Sequence, residues 1–312
     1  MIFTFKDLAF SCSDAEKDPW KFFDIFPIRD ILKAIHPDKW PHEPTCPSLF
    51  IRYNTAYQRS QKPKEFVGAY PLLSLHAEGD LRDIFNTIDG NLIKVPKIVD
   101  KAANRLIEKE SETLKKLKKE ANGNLIQYFF PQMVDSVEKD GKLHNVTIYE
   151  RKLHTAAQIK EAFPSGLNGR HIAWMLRRML TGVGYMHSLD LCHGAITPEH
   201  VMFCIENHGG VLTGIIHSDK TGEKLSVVPA KRKDWYPDFA KKGLTPSVDF
   251  AMIGRVVDFL SDDSLPKRLK NFVKALSLPS LKCEASVLEE DLKSILFDCY
   301  GPPRFLDLVM EN

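Results

Sequence analysis

The position of the acidic residue Glu110 in the sequence predicts a cationic partner for its carboxylate. Leu106 and Leu114 lie four residues before and four residues after it, within an apolar-periodic stretch over residues 98–121. This spacing places the carboxylate on the apolar face of a predicted helix, where an unpaired charge is costly without a cation nearby. The alternative is that Glu110 lies at the edge of this face and extends its carboxylate to water.

A second group of chemically useful residues forms the run His36-Pro37-Asp38. Pro37 cannot continue a helix, so the run predicts a turn between two apolar-periodic stretches at residues 22–35 and 48–57. The imidazole and the carboxylate are then offered on an exposed loop, where binding residues are often found. The nearby basic residues are Arg29, Lys33, Lys39 and Arg52. This combination favours a protein partner with an acidic surface.

The elements that position these residues change in character along the chain. Residues 1–65 predict a short helical segment with a proline-dense loop. Residues 66–153 alternate short apolar runs with turn signals, which is typical of strands and hairpins, and contain one helix. Residues 154–312 are mostly helix-periodic, beginning with a long helix that Asn168 can cap. The sequence therefore predicts an α+β fold of two lobes, strand-rich and then helical, preceded by a short helical segment.

This order of elements resembles the protein-kinase fold, and individual runs strengthen the resemblance. The run NLIKVPK is similar to the kinase strand whose lysine holds the ATP phosphates, which implies that role for Lys94. The run KESETLKKL is similar to the kinase helix that carries the partner acid, which implies that role for Glu110. The same resemblance implies that the glycine-rich, phosphate-binding loop is reduced here to Gly79.

The run HSLDLCHGAITPEHVMF resembles the kinase catalytic loop and departs from it at the residues that do chemistry. His193 matches the family, whereas Ala195 stands in place of the catalytic aspartate. His200 replaces the metal-binding asparagine, and Gly214 replaces the metal-binding aspartate further along. The resemblance covers roughly residues 70–310.

These departures predict that the chain has lost phosphoryl-transfer chemistry. The reaction needs a carboxylate that orients the acceptor hydroxyl and oxygen ligands that hold magnesium on the phosphates. Alanine and glycine supply no carboxylate, and a neutral imidazole is a poor ligand for Mg²⁺. The sequence is thus interpreted as a pseudokinase with no catalytic residue, no metal site and no cofactor. Its predicted role is that of a protein-binding adaptor or scaffold, in which Lys94 and Glu110 form a structural link.

An enzymatic alternative remains open at this point. Asp219 takes the metal-binding position if the preceding loop is longer, and Glu199 could act as a second ligand. The chain would then be an atypical ATP-dependent kinase or nucleotide-dependent transferase with ATP and Mg²⁺ as cofactors. The catalytic base would still be missing.

The N-terminal segment carries a second resemblance, to the J domain of DnaJ-like proteins. The match rests on the His36-Pro37-Asp38 turn together with Phe50 and Tyr57 in the following helix. In that family the turn stimulates the ATPase of a DnaK-type chaperone, which implies such a chaperone as a partner. One alternative is that the segment is a structural brace packed on the kinase-like lobe and that His36-Pro37-Asp38 is an ordinary turn. Another is that the chain is a structural assembly protein in which both resemblances are evolutionary remnants without function.

The composition excludes several other classes. The formal net charge is +2, which gives little support to a nucleic-acid binder or a polybasic membrane protein. The run of about 18 apolar residues that a membrane helix needs is absent from the sequence. The six cysteines have no zinc-site spacing and are expected to be reduced packing residues, rather than a disulfide framework. The expected location is therefore the cytoplasm.

Overall fold

The computed structural model describes residues 5–60, 66–149, 152–279 and 281–310. The chain begins with four helices: α1 (Phe5–Lys17), α2 (Pro19–Ile25), α3 (Ile28–Ala34) and α4 (Cys46–Ser60). The periodic stretch at residues 22–35 is split between α2 and α3, because Pro27 lies in an extended conformation before α3. Helix α1 was not predicted from the sequence, whereas α4 extends the stretch predicted at residues 48–57.

The four N-terminal helices share a hydrophobic cluster. Leu8 on α1, Phe22 on α2 and Ile31 on α3 are buried in this cluster with Tyr53 on α4. The hydroxyl of Tyr53 donates a hydrogen bond to the backbone oxygen of Leu8 at 2.7 Å, which joins α4 to α1. The segment thus buries apolar residues from all four of its helices in one core.

The next part of the chain forms a six-stranded antiparallel sheet with the strand order β1-β2-β3-β4-β6-β5. The strands are β1 (Phe66–Val67), β2 (Tyr70–Glu78), β3 (Arg82–Thr87), β4 (Leu92–Pro96), β5 (Gln132–Lys139) and β6 (Lys142–Ile148). The apolar run LIQYFFPQMV at residues 125–134 predicts a strand, which is wrong for its first part, since Leu125–Phe129 form a 3₁₀ helix. Asn124 begins this turn by accepting a hydrogen bond from the backbone N–H of Ile126.

Helix α5 (Lys101–Ala121) lies between β4 and β5 in the chain and contacts β5 and β6. Asp100 caps its start by accepting a hydrogen bond from the N–H of Ala102. Asn122 ends the helix in the left-handed conformation, with φ of 47°. These two caps place Glu110 in the middle of the helix, on the side that is buried.

The remaining elements form a mostly helical lobe with small sheets. They are β7 (His154–Thr155), α6 (Ala156–Ala162), α7 (Gly169–Ser188), β8 (Leu191–Cys192), β9 (Val201–Cys204), β10 (Gly209–Leu212), β11 (Asp219–Lys220), α8 (Pro246–Leu260), α9 (Lys267–Leu276) and α10 (Ala285–Tyr300). Asn168 caps α7 as predicted. Strand β9 pairs with β7 and β10, and β11 pairs with β8. The main hydrophobic core lies here, around α7 and α8.

The structure confirms the predicted fold class, an α+β fold of a strand-rich lobe and a helical lobe after a helical segment. All six cysteines are free thiols, and four of them are buried. Within the described residues, every helix is too short or too polar to cross a membrane.

Candidate functional site

The carboxylate of Glu110 is the centre of a buried ion cluster. Its Oε1 accepts a hydrogen bond from Nζ of Lys94 on β4 at 2.7 Å. Both terminal nitrogens of Arg82 on β3 also donate to it, at 2.5 and 2.7 Å, and Asn145 on β6 donates at 2.9 Å. Glu110 is 0% exposed, so the alternative that its carboxylate extends to water is wrong. Four hydrogen bonds and two cations compensate the buried charge.

The pKa shifts in this cluster follow from burial and from two cations sharing one anion. Burial alone would raise the pKa of Glu110, but Arg82 and Lys94 outweigh it and hold the pKa far below its usual range. Burial lowers the pKa of Lys94, and the Arg82 guanidinium lowers it further, while Glu110 opposes both effects. The amine of Lys94 is therefore held by Glu110 in a site that already contains a second cation.

The role of Arg82 as a second cationic partner of Glu110 was not predicted from the sequence. Ile84 pairs with Lys94 across β3 and β4, and Arg82 lies two residues before Ile84, so it shares the strand face of Ile84. Arg82 is the first residue of a strand that also carries Asp83 and Asn86, so its residue type alone gave no signal, and the strand register that brings it to Glu110 was not visible. Gly79 lies in the β2–β3 hairpin, where an added Cβ would come within 2.5 Å of the Arg82 carbonyl oxygen. Glycine is thus needed there for the turn itself.

Asp249 on α8 organises the loop that joins β8 to β9. Its Oδ2 and Oδ1 accept hydrogen bonds from the backbone N–H groups of His193 and Gly194, at 2.8 and 2.9 Å. The Nε2 of His187 on α7 donates to the same carboxylate at 2.9 Å. Ala195 follows in this loop and is completely buried. Its side chain is a methyl group, so this position offers no carboxylate.

Neutral histidines surround Ala195. His200 Nδ1 donates to the backbone oxygen of Ala195 at 2.9 Å, and His193 Nε2 donates to the backbone oxygen of Thr213 at 2.8 Å. Burial lowers the pKa of His193 to about 4 and that of His217 to about 3, and it also lowers the pKa of His200. The His200 and His217 rings lie 5.3 Å apart between centroids. Uncharged imidazoles therefore line this side of the loop.

The residues directly after β10, Thr213 and Gly214, carry no carboxylate. Thr213 accepts a hydrogen bond from the hydroxyl of Tyr149 through Oγ1 at 3.1 Å, and burial raises the pKa of Tyr149 to about 12. Gly214 is left-handed, with φ of 78°, and an added Cβ would lie 2.7 Å from Cγ of His200. The position predicted to replace the metal-binding aspartate is thus both strained for a side chain and already filled by an imidazole.

The two acids of the enzymatic alternative are both held in ion pairs. Asp219 Oδ2 accepts from Nζ of Lys109 on α5 at 2.5 Å and from Oγ of Ser226 at 3.1 Å. Glu199 pairs with the guanidinium of Arg232. These partners lower the pKa of both carboxyls despite burial, which alone would raise it. Neither Lys109 nor Arg232 was recognised as such a partner from the sequence.

The His36-Pro37-Asp38 run forms an ordered and exposed turn. Pro37–Lys39 are a 3₁₀ turn, and Asp38 is 88% exposed at its side chain. His36 Nδ1 accepts a hydrogen bond from the Asp38 N–H at 3.4 Å, and Nε1 of Trp40 donates to the Ala34 carbonyl oxygen at 2.8 Å. The exposed basic residues nearby are Arg29, Lys33, Lys39 and Arg52. Of these, Arg52 pairs with Glu16.

Comparisons with known proteins give the identity of the fold. The chain has a TM-score of 0.58 to vaccinia related kinase 3, at 13% identity, over 77% of this chain and 94% of that one. A crystal structure of a kinase domain gives a TM-score of 0.53 at 14% identity, over 66% of this chain and 68% of that one. The chain has a protein-kinase-like fold.

The similarity in sequence is weaker than the similarity in structure. The chain is 26% identical to cyclin-dependent kinase-like 2 of Oryctolagus cuniculus over 140 residues, which are 43% of this chain and 23% of that protein. The match thus spans about a quarter of the length of this relative. No family model matches the chain. In the kinase-like fold, Lys94 is joined to Glu110, and His193 and His200 lie against the backbone of Ala195.

Proposed function

We propose that this chain is a catalytically inactive, kinase-like protein that acts as a binding adaptor. The observation that carries the proposal is the absence of a carboxylate at Ala195, in the loop at residues 193–200. Thr213 and Gly214, which face this loop from the end of β10, offer no carboxylate either. Phosphoryl transfer depends on carboxylates that position the acceptor hydroxyl and magnesium. The two acids of the enzymatic alternative, Asp219 and Glu199, are held by Lys109 and Arg232, and Asp249 is occupied by His187 and by backbone N–H groups. A metal ion would have to displace both cations.

The cluster of Arg82, Lys94 and Glu110 has a structural role in this proposal. It joins β3 and β4 to α5 through a buried carboxylate that satisfies both cations. Removal of one member of such a cluster leaves an uncompensated buried charge, so the cluster keeps α5 on the sheet. An adaptor needs this kind of fixed surface more than it needs a mobile nucleotide cleft.

The partner in this proposal is a DnaK-type chaperone, bound through the His36-Pro37-Asp38 turn. The turn is exposed, it is ordered by hydrogen bonds that involve His36 and Trp40, and it contains the exposed basic residue Lys39. These features favour an acidic surface on the partner. The proposed role is that of a co-chaperone whose kinase-like part serves as a scaffold.

The inactive site is tested by thermal unfolding with ATP, with and without Mg²⁺. A ligand at 100 times its Kd stabilises a fold by about 2.7 kcal/mol, which is easily detected. We expect Mg²⁺ to add nothing to any effect of ATP, and we expect no transfer of labelled γ-phosphate to protein acceptors. Magnesium-dependent stabilisation that Asp219→Ala removes would overturn the proposal in favour of the atypical transferase.

The chaperone partner is tested by single-turnover ATP hydrolysis of a DnaK-type chaperone. The full chain should accelerate hydrolysis, and His36→Gln and Asp38→Asn should abolish the acceleration. The control is His42→Gln, since His42 is also exposed and follows the same turn. Equal rates with the wild type and His36→Gln would remove the co-chaperone role and would leave the inactive kinase-like site unaffected.

A further inference from the structure

A cavity of about 230 Å³ lies between α7, α10 and the segment that follows α10. Its walls are formed on one side by α7 residues and on the other by residues from Leu292 to Leu306. It is formed by the helical lobe alone, so it is separate from the residues around Glu110 and Ala195. An apolar cavity of 150 Å³ is known to hold benzene, so this one can hold a larger, fused-ring body.

The cavity is positively charged. Four basic residues and no acidic residue contribute to its lining; they are Arg170, Arg177, Lys293 and Arg304. Lys293 has Glu290 as a partner at 3.4 Å, and Glu289 lies near Arg177. Within the described residues, Arg170 and Arg304 have no carboxylate at ion-pair distance. Positive charge without an internal counter-ion favours an anionic occupant.

Aromatic rings form much of the apolar wall. Trp174 is stacked on His208 at 4.3 Å between centroids, and His208 is stacked on Phe305 at 4.0 Å. His208 also donates a hydrogen bond through Nε2 to the backbone oxygen of Leu306, which holds this stack in place. One helical turn before Trp174, the Arg170 guanidinium lies 5.0 Å from the ring centroid of Tyr300 on α10. A wall made of stacked rings favours a ligand with a flat aromatic group, because such a group can stack on these rings in the same way.

Two polar atoms of the lining residues are buried and lack a hydrogen-bond partner among the described residues. They are the Nε1 of Trp174 and the hydroxyl of Tyr300. Both groups are hydrogen-bond donors, and a buried donor without an acceptor destabilises a protein. Both atoms are closed off from water, and the Tyr300 hydroxyl lies against Gly169 at the start of α7, so these two donors are not open to the cavity.

We propose that this cavity binds a planar aromatic carboxylate. The aromatic body packs between Trp174, Phe297 and Tyr300, and the carboxylate lies between Arg170 and Arg304. Guanidinium groups bind carboxylates in a bidentate manner, which adds direction to the charge attraction. This site does not depend on the proposed function of the kinase-like cleft.

The test compares 2-naphthoate with 2-naphthamide in calorimetric titrations of the full chain. The two probes have the same shape and differ in charge, so their ratio of affinities reports the basic residues. We expect 2-naphthoate to bind about tenfold more tightly, as one charge-assisted hydrogen bond would give. Equal affinities, or no binding of 2-naphthoate, would overturn the proposal.

Variants locate the binding in the cavity. The double variant Arg170→Gln/Arg304→Gln should reduce the affinity ratio to about one, whereas Lys267→Gln, an exposed residue outside the lining, should leave it unchanged. Ala173→Phe places a ring in the cavity and should abolish binding of both probes. Thermal unfolding first confirms that each variant is folded. A ratio that persists in the double variant, or binding that persists in folded Ala173→Phe, would contradict the proposal.

Discussion

Nζ of Lys109 on α5 lies 2.5 Å from Oδ2 of Asp219 on β11, 110 residues later in the chain. Helix α5 carries Glu110, and β11 pairs with β8, which leads directly into the loop at residues 193–200. The pair therefore joins the helix that holds the buried carboxylate to the sheet beside Ala195. It also neutralises the acid that would otherwise have been a candidate metal ligand.

Lys109→Met should destabilise the protein by about 1–2 kcal/mol, between the values for exposed and buried ion pairs. The two side chains are 28% and 23% exposed, so the orphaned Asp219 keeps only part of its hydration. The free energy of unfolding is measured by urea denaturation. Lys115→Met is the control because Lys115 is exposed on the same helix. Equal losses from both variants would show that the pair contributes nothing.

Glu110→Gln should destabilise the protein by about 3–5 kcal/mol, because it leaves two buried cations without an anion. The glutamine can still accept hydrogen bonds, so the loss reports charge rather than shape. Glu112→Gln is the matched control, since Glu112 is exposed on the same helix. Urea denaturation of both variants decides the point, and a loss below 1 kcal/mol for Glu110→Gln would refute a structural role.

Gly214→Asp should fail to restore a metal site and should destabilise the protein by about 1–3 kcal/mol. The backbone is left-handed there, and the new Cβ would lie 2.7 Å from the His200 ring. The double variant with His200→Asn should lose less than the sum of the two single variants, since the shorter side chain relieves the contact. Simple additivity in thermal or urea unfolding would show that the contact with His200 does not limit the position.

Acidification should destabilise the protein at pH values below about 6.5, the pKa of a histidine in an unfolded chain. Burial lowers the pKa of His193 to about 4 and that of His217 to about 3, so the unfolded chain binds protons first as the pH falls. The stability is therefore fully present above about pH 6.5 and is lost towards pH 4. Each such group contributes up to about 1.4 kcal/mol per pH unit.

His217→Asn isolates one of these groups. The asparagine can still donate to the Val227 carbonyl oxygen, which His217 Nδ1 contacts at 3.0 Å, but it does not titrate. The slope of unfolding free energy against pH between 6.5 and 4 should therefore decrease by about one proton. His42→Asn, at an exposed position, should leave the slope unchanged. An unaltered slope in His217→Asn would mean that this imidazole is protonated in the folded protein.

Much of the fold was predictable because its signals are local. Asn168 and Asn122 mark the start of α7 and the end of α5 through hydrogen bonds or backbone angles within a few residues. The helix and strand periods placed most elements, although they joined α2 to α3 and continued a strand into the 3₁₀ helix at residues 125–129. Both errors arose at positions where one residue, Pro27 or Asn124, redirects the chain.

The sequence by itself determined that position 195 has no carboxylate and that His36-Pro37-Asp38 forms a turn, and it favoured a buried position for Glu110. Each follows from residue type or from a period of a few residues. Only the tertiary structure decided that Arg82 shares Glu110 with Lys94, that Lys109 holds Asp219 and that a basic cavity lies behind α7. These contacts join distant parts of the chain, so they depend on strand register and on the packing of whole elements, which local periodicity does not specify.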